Sequence, residues 1–94
     1  MPPSPLVSRS VTICNRRGLH ARAAARIAKL AEDFSADISV GANGLTVSAL
    51  SIMGLMLLAA GPGTEVEIEA TGAAAEEAVA ALVAMIESRF HEDS

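Results

Sequence analysis

Apolar and polar residues alternate in four short segments of the chain, a pattern typical of β-strands with one buried face. These segments cover residues 7–13, 36–40, 45–47 and 64–70. Asn43-Gly44, between the second and third segments, is a strong signal for a tight hairpin. In the fourth segment three glutamates are expected to point outward while Val66, Ile68 and Ala70 point inward. In the hairpin, the residues expected to face inward are Ile38, Val40, Leu45 and Val47.

Three other segments, residues 21–34, 52–59 and 73–90, have the apolar spacing of amphipathic helices. The buried stripe of the first is expected to contain Ala24, Ile27, Leu30, Ala31 and Phe34. The buried stripe of the last is expected to contain Val79, Leu82, Val83, Ile86 and Phe90. Ser51 is the expected N-cap of the short middle helix, in which we expect Leu55 and Leu58 to face the sheet.

The element order is therefore βαββαβα, with no internal repeat and no linker, so residues 1–94 are expected to form one domain. Strands with one apolar and one solvated face predict an α+β protein, a two-layer sandwich with helices on one side of an antiparallel sheet. Residues 1–6 and 91–94 are expected to be disordered tails.

Basic and acidic residues are segregated along the chain, which changes the meaning of its net charge of −4. Six of the seven Lys and Arg residues precede residue 32, and all eleven acidic residues follow residue 31. Arg22, Arg26 and Lys29 recur at helical spacing, and we expect this basic stripe to be exposed and to dock acidic partners. The acidic total and the absence of Trp and Tyr argue against binding to nucleic acid.

The apolar runs are all too short for a membrane span, so no membrane insertion is expected. Cys14 is the single cysteine, which excludes an internal disulfide and fits a cytoplasmic protein. No metal ion is expected, because His20 has no Cys, Asp or Glu close to it in the sequence. No cofactor is expected either, since a glycine-rich nucleotide loop is missing.

The motif with the most chemical content is Gly18-Leu19-His20-Ala21-Arg22, at the start of the first predicted helix. His20 falls at or beside the N-cap, where backbone N–H groups and the helix dipole attract anions. Arg22 supplies a guanidinium suited to phosphate oxygens. An imidazole can accept a phosphoryl group and hand it on near neutral pH. These residues together predict a histidine that carries phosphate.

This motif resembles the phosphorylation site of the HPr family, the histidine phosphocarriers of the bacterial phosphoenolpyruvate-dependent phosphotransferase system. The similarity extends from about residue 7 to residue 90. A second segment, Ser51-Ile52-Met53-Gly54-Leu55-Met56, resembles the regulatory-serine motif of the family. The resemblance implies an open-faced sandwich, in which a four-stranded antiparallel sheet carries three helices on one face.

The resemblance also implies a role for each residue of the motif. His20 would take the phosphoryl group at Nδ1 from phosphorylated enzyme I and pass it to an EIIA-type acceptor. Arg22 would shield the phosphate charge, and the amides of Ala21 and Arg22 would donate to its oxygens. The chain would be a monomeric carrier rather than a self-sufficient enzyme. The chain departs from the family at Ala23, where a proline is usual. This departure is expected to affect the stiffness of the site.

Ser51 and the helix that follows it complete the predicted interaction surface. By resemblance, Ser51 is the target of an HPr kinase/phosphorylase, although Leu50 stands where many relatives have a basic residue. Ile52, Met53 and Met56 are expected on the outer face of this helix, where flexible methionines suit several partners. The resemblance implies that this apolar patch and the basic stripe bind enzyme I and the EIIA-type acceptor.

One alternative belongs to a different class of function. The chain would then be a regulatory module that acts through phosphorylated Ser51 on a transcription factor or kinase, without phosphoryl relay. Replacement of His20 by alanine separates the two hypotheses, since only a carrier loses its function. The sequence also leaves open whether a carrier serves sugar uptake or the nitrogen-related regulatory branch, and the Ser51 segment favours regulation.

Overall fold

The computed structural model describes residues 6–91, which contain four strands and three helices in the predicted order. The expectations for residues 1–5 and 92–94 lie outside the described residues. The elements are β1 (Val7–Thr12), α1 (Ala21–Ala31), β2 (Asp37–Ala42), β3 (Leu45–Ser48), α2 (Ile52–Leu57), β4 (Glu65–Thr71) and α3 (Ala75–Glu87), followed by a 3-10 turn, Arg89–His91.

The strands form one antiparallel sheet in the order β1-β4-β2-β3, so β1 and β3 are its edges. Val7 pairs with Ala70 in β4, and Ile38 pairs with the same residue from the other side. The helices pack on one face of this sheet, which confirms the predicted open-faced sandwich. Among the described residues, none of the helices is both long and apolar enough to cross a bilayer.

The core lies between the sheet and the helices, and the strand alternation predicts its sheet side correctly. The inward residues Val66, Ile68 and Ala70 are buried, as are Ile38 and Val40. All five residues predicted for the α3 side are buried too: Val79, Leu82, Val83, Ile86 and Phe90. Because every core side chain except Phe90 is aliphatic, the layers are held by close contact of small side chains.

The first and last helices both end earlier than their apolar stripes predict. α1 ends at Ala31, because Asp33 and Phe34 donate to carbonyls three residues back and tighten the chain into turns. α3 ends at Glu87, and Arg89, Phe90 and His91 all have φ near +60°. Phe90 is buried and Phe34 is half-buried, and both contact the core, so each stripe predicts the inward side beyond the true helix end.

The prediction for Leu45 is wrong, because this side chain is 50% exposed. Leu45 follows the Asn43-Gly44 turn at the end of an edge strand, where only one neighbouring strand is present. The disordered tails expected at residues 1–6 and 91–94 stay a prediction, and of these residues the structure describes only Leu6 and His91. Leu6 has a described position beside β1, and His91 belongs to the 3-10 turn.

Candidate functional site

The loop that leads from β1 to α1 is fastened to the chain that follows α2. Gly18 has φ of +67°, and a Cβ added there would lie 2.7 Å from the carbonyl oxygen of Ala60. The amide of Leu19 donates to that same oxygen at 2.8 Å, and the Leu19 side chain is buried. Gly18 is therefore required both for its left-handed backbone and for the close approach to Ala60.

Asn15 holds the same loop from inside, and sequence reasoning missed it. Its side chain is completely buried, and Nδ2 donates to the Gly18 carbonyl at 2.9 Å. The amide of His20 donates to the same carbonyl at 2.9 Å. These two donors, the Asn15 side chain and the His20 amide, thus fix the orientation of the Gly18 carbonyl. The sequence offered only a weak signal, an amide side chain three residues before a glycine.

His20 lies at the N-cap of α1, as the motif predicts. Its backbone is extended, with φ of −83°, and its carbonyl accepts from the Ala24 amide at 2.8 Å. The side chain is half-buried and makes no capping hydrogen bond. Ala21 and Arg22 follow in the first turn, both exposed. The imidazole thus stands at the positive end of an eleven-residue helix.

Ala23, the departure from the family pattern, is completely buried in the first turn of α1. A methyl group at this position contacts the core, so the helix begins against the core without the constraint of a proline ring. Within residues 6–91 no cluster of three or more side chains is suited to hold a metal ion.

The basic stripe is only partly a free surface. Arg22 and Lys29 are exposed, but Arg26 is half-buried and its guanidinium donates to the carbonyl oxygen of Phe90. Arg26 therefore ties α1 to the 3-10 turn, and the expectation of a uniformly exposed stripe is wrong at this residue. Sequence spacing places the three side chains on one face but does not reveal the carbonyl that Arg26 contacts.

The outer face of α2 is apolar and exposed, as predicted. Met53 is 76% exposed, while Ile52 and Met56 are exposed by 41% and 46%. Leu57, which the prediction left out, is 69% exposed and extends the patch. Leu55 and Leu58 are buried against the core. The carbonyl of Ala60, after the end of this helix, holds the loop before His20, so the patch and the histidine belong to adjoining parts of the surface.

Ser51 is the N-cap of α2, and its Oγ accepts from the Gly54 amide at 2.9 Å. A Cβ at Gly54 would lie 2.9 Å from this oxygen and 3.0 Å from Cβ of Val47. Glycine at this position therefore allows the capping bond to form close to β3. Ser51 itself is exposed, so its hydroxyl combines a structural role with access from solvent.

Comparison with known proteins agrees with this geometry over almost the whole chain. The family described as the PTS HPr component phosphorylation site matches residues 7–88. The chain is 46% identical over 87 residues to the phosphocarrier protein HPr of Cupriavidus necator, covering 93% of this chain and 98% of that one. It is 40% identical over 88 residues to the phosphocarrier protein NPr of Shewanella violacea, covering 94% and 97%.

The fold agrees equally well with a solved structure. The crystal structure of HPr-C-His from Thermoanaerobacter tengcongensis superposes with a TM-score of 0.88 at 42% identity, over 94% of this chain and 99% of that one. Sequence, fold and the match to the family over residues 7–88 lead to the same assignment. The chain belongs to the HPr family, the phosphocarriers of the phosphotransferase system.

Proposed function

We propose that His20 is the residue that carries the phosphoryl group, taken from phosphorylated enzyme I and given to an EIIA-type acceptor. In the first step Nδ1 of neutral His20 attacks phosphorus, a phosphorus–nitrogen bond forms, and the bond from phosphorus to the donor breaks. In the second step the acceptor attacks the same phosphorus and His20 leaves as neutral imidazole. The phosphorus–nitrogen bond is labile enough for both transfers.

The observation that carries this proposal is the position of His20 at the N-cap of α1. The amides of Ala21 and Arg22, in the first turn, are suited to donate to phosphate oxygens. The exposed guanidinium of Arg22 adds a positive charge within two residues of the imidazole. A half-buried ring is also accessible to two different partner proteins in turn.

The chain contains its own control for this proposal, because it has two histidines. We expect incubation with enzyme I and phosphoenolpyruvate to add one acid-labile phosphate to the chain, measured by mass spectrometry before and after acid treatment. His20→Ala should abolish this gain, and His91→Ala should leave it unchanged. A phosphate that persists in His20→Ala, or that survives acid, would contradict the proposal.

We propose in addition that Ser51 is phosphorylated by an HPr kinase/phosphorylase. Its exposed hydroxyl already caps α2, so an added phosphate would remain beside the start of the helix and would not require the helix to unfold. The new negative charge would lie next to Ile52 and Met53 and would oppose the docking of acidic partners there.

Ser48 supplies the matched control for Ser51, since it is also exposed and its Oγ also accepts a backbone amide, that of Leu50. Treatment with the kinase and ATP is expected to add an acid-stable phosphate to the parent chain and to Ser48→Ala, but not to Ser51→Ala. Equal labelling of all three proteins would exclude Ser51 as the target. If Ser51 alone carries the function, as in the alternative of a regulatory module, His20→Ala will retain it.

We propose that enzyme I and the EIIA-type acceptor dock on the surface around His20. Ile52, Met53 and Met56 supply apolar contact, and Arg22 and Lys29 supply positive charge. Arg26 contributes through its bond to the Phe90 carbonyl, which ties α1 to the 3-10 turn. Because one surface serves both partners in succession, we propose that the chain works as a monomer in the cytoplasm.

A further inference from the structure

A groove of about 520 Å³ lies at the end of the sheet remote from His20. Its lining includes Leu6, Asp37, Ser39, Leu50, Glu69 and Thr71. β1 starts at this end, next to Leu6, and runs toward the loop that leads to His20. Ala31, the last residue of α1, also lines the groove, whereas His20 precedes the first residue of that helix. An occupant of the groove would therefore leave His20 uncovered.

Two carboxylates give the groove its charge. Glu69 is half-buried, and its cross-strand neighbours are Ser8 on one side and Ser39 on the other. Asp37 pairs with Thr71, so it is the diagonal neighbour of Glu69, at a spacing of about 7–8 Å between such positions. Among the described residues that line the groove, none is basic. A cationic side chain placed between Asp37 and Glu69 would be close enough to interact with both carboxylates.

Two leucines form apolar walls beside these charges. Leu6 is 60% exposed and Leu50 is 58% exposed, although both line the same groove. A small inorganic cation would gain nothing from these side chains, whereas a ligand with an apolar group next to its positive charge would bury them.

The edge of the sheet adds a third kind of contact. Thr46, Val47 and Ser48 of β3 line the groove, and β3 pairs with β2 alone in the described sheet. An edge strand presents backbone groups to an added extended segment, and side chains of that segment then enter neighbouring pockets. We propose that this groove binds an extended segment of a partner protein that carries lysine or arginine next to an apolar residue.

The test is a titration of the full-length, ¹⁵N-labelled chain with a capped octapeptide of alternating lysine and valine, followed by NMR. Amide signals of residues 37–39, 46–50 and 69–71 are expected to shift, while those around His20 stay in place. The double variant Asp37→Asn/Glu69→Gln should bind the peptide about tenfold more weakly. A peptide of alternating glutamate and valine should cause no shifts.

The control variant Glu65→Gln/Glu67→Gln removes the same number of charges from exposed positions of β4, the strand that contains Glu69, outside the groove lining. It should bind the peptide like the parent, and thermal melts should show that both double variants fold. Equal weakening by the two variants would mean general charge attraction and overturn the proposal. Tighter binding of the peptide after deletion of residues 1–5 would show that the chain's own segment competes for the groove and would also overturn the proposal.

Discussion

At the scale of single residues, the site depends on a glycine that two independent constraints select. The left-handed backbone of Gly18 costs other residues about 1–2 kcal/mol. Its contact with the Ala60 carbonyl leaves no room for a side chain, and overpacking of this kind typically costs ~1–3 kcal/mol. Gly44 has φ of +82° but nothing within 4 Å of an added Cβ. The two glycines therefore separate the backbone cost from the packing cost.

We predict that Gly18→Ala lowers the free energy of unfolding by the sum of both costs, and Gly44→Ala by the backbone cost alone. Urea denaturation of the two variants measures the difference. Gly18→Ala should also slow phosphoryl transfer from enzyme I, because the loop before His20 must move, while Gly44→Ala transfers at the parent rate. Equal destabilisation by the two substitutions would show that the Ala60 carbonyl moves aside at little cost to make room for the added Cβ.

The motif around His20 was recognisable from sequence because Gly18, His20 and Arg22 match the phosphorylation site of the HPr family. Asn15 was not, since its role depends on the Gly18 carbonyl, which it shares with the His20 amide. A buried amide and a polar surface amide look alike in a sequence. Only the folded loop shows which one is enclosed.

At the scale of elements, α2 shows how a short helix is held at its two ends. Ser51 caps its start, and Nδ2 of Asn43, in the hairpin turn, donates to the Leu58 carbonyl at 2.8 Å after its end. Six residues are too few for a stable isolated helix, so these bonds and the burial of Leu55 maintain it. The N-cap was predictable from the residue type, but the bond from Asn43 was not, because it joins residues fifteen apart.

We predict that Ser51→Ala destabilises the protein by about 1 kcal/mol, the usual cost of losing an N-cap. Ser51→Asp keeps an acceptor at the cap and should retain most of the stability. The midpoint of urea unfolding measures both effects. If the alanine and aspartate variants unfold at the same urea concentration, the bond to the Gly54 amide contributes nothing measurable.

At the scale of the whole molecule, the last described turn covers part of the core although its backbone conformation is unusual. Arg89, Phe90 and His91 are three successive residues with left-handed φ, each of which costs energy for a side chain larger than glycine. Complete burial of Phe90 and the bond from Arg26 to its carbonyl oppose that cost. The C-terminal turn is thus held by tertiary contacts rather than by its local preference.

We predict that Phe90→Ala lowers the free energy of unfolding by roughly 3–5 kcal/mol, a large share of the stability of a small domain. The other phenylalanine, Phe34, is half-buried, so Phe34→Ala should cost clearly less. Each kcal/mol corresponds to about 4–8 °C in Tm at this size, so thermal melts resolve the difference. Similar Tm values for the two variants would mean that burial of Phe90 contributes no more to stability than the partial burial of Phe34.

The sequence by itself determined the order of the elements, the buried faces of the strands and helices, and the place of His20 at the start of α1. These follow from local periodicity and capping, which depend on neighbours within a few residues. Only the tertiary structure decided where α1 and α3 end, that Leu45 is exposed and that Arg26 contacts Phe90. Those outcomes depend on which distant segment lies opposite each residue, and neither periodicity nor spacing contains that information.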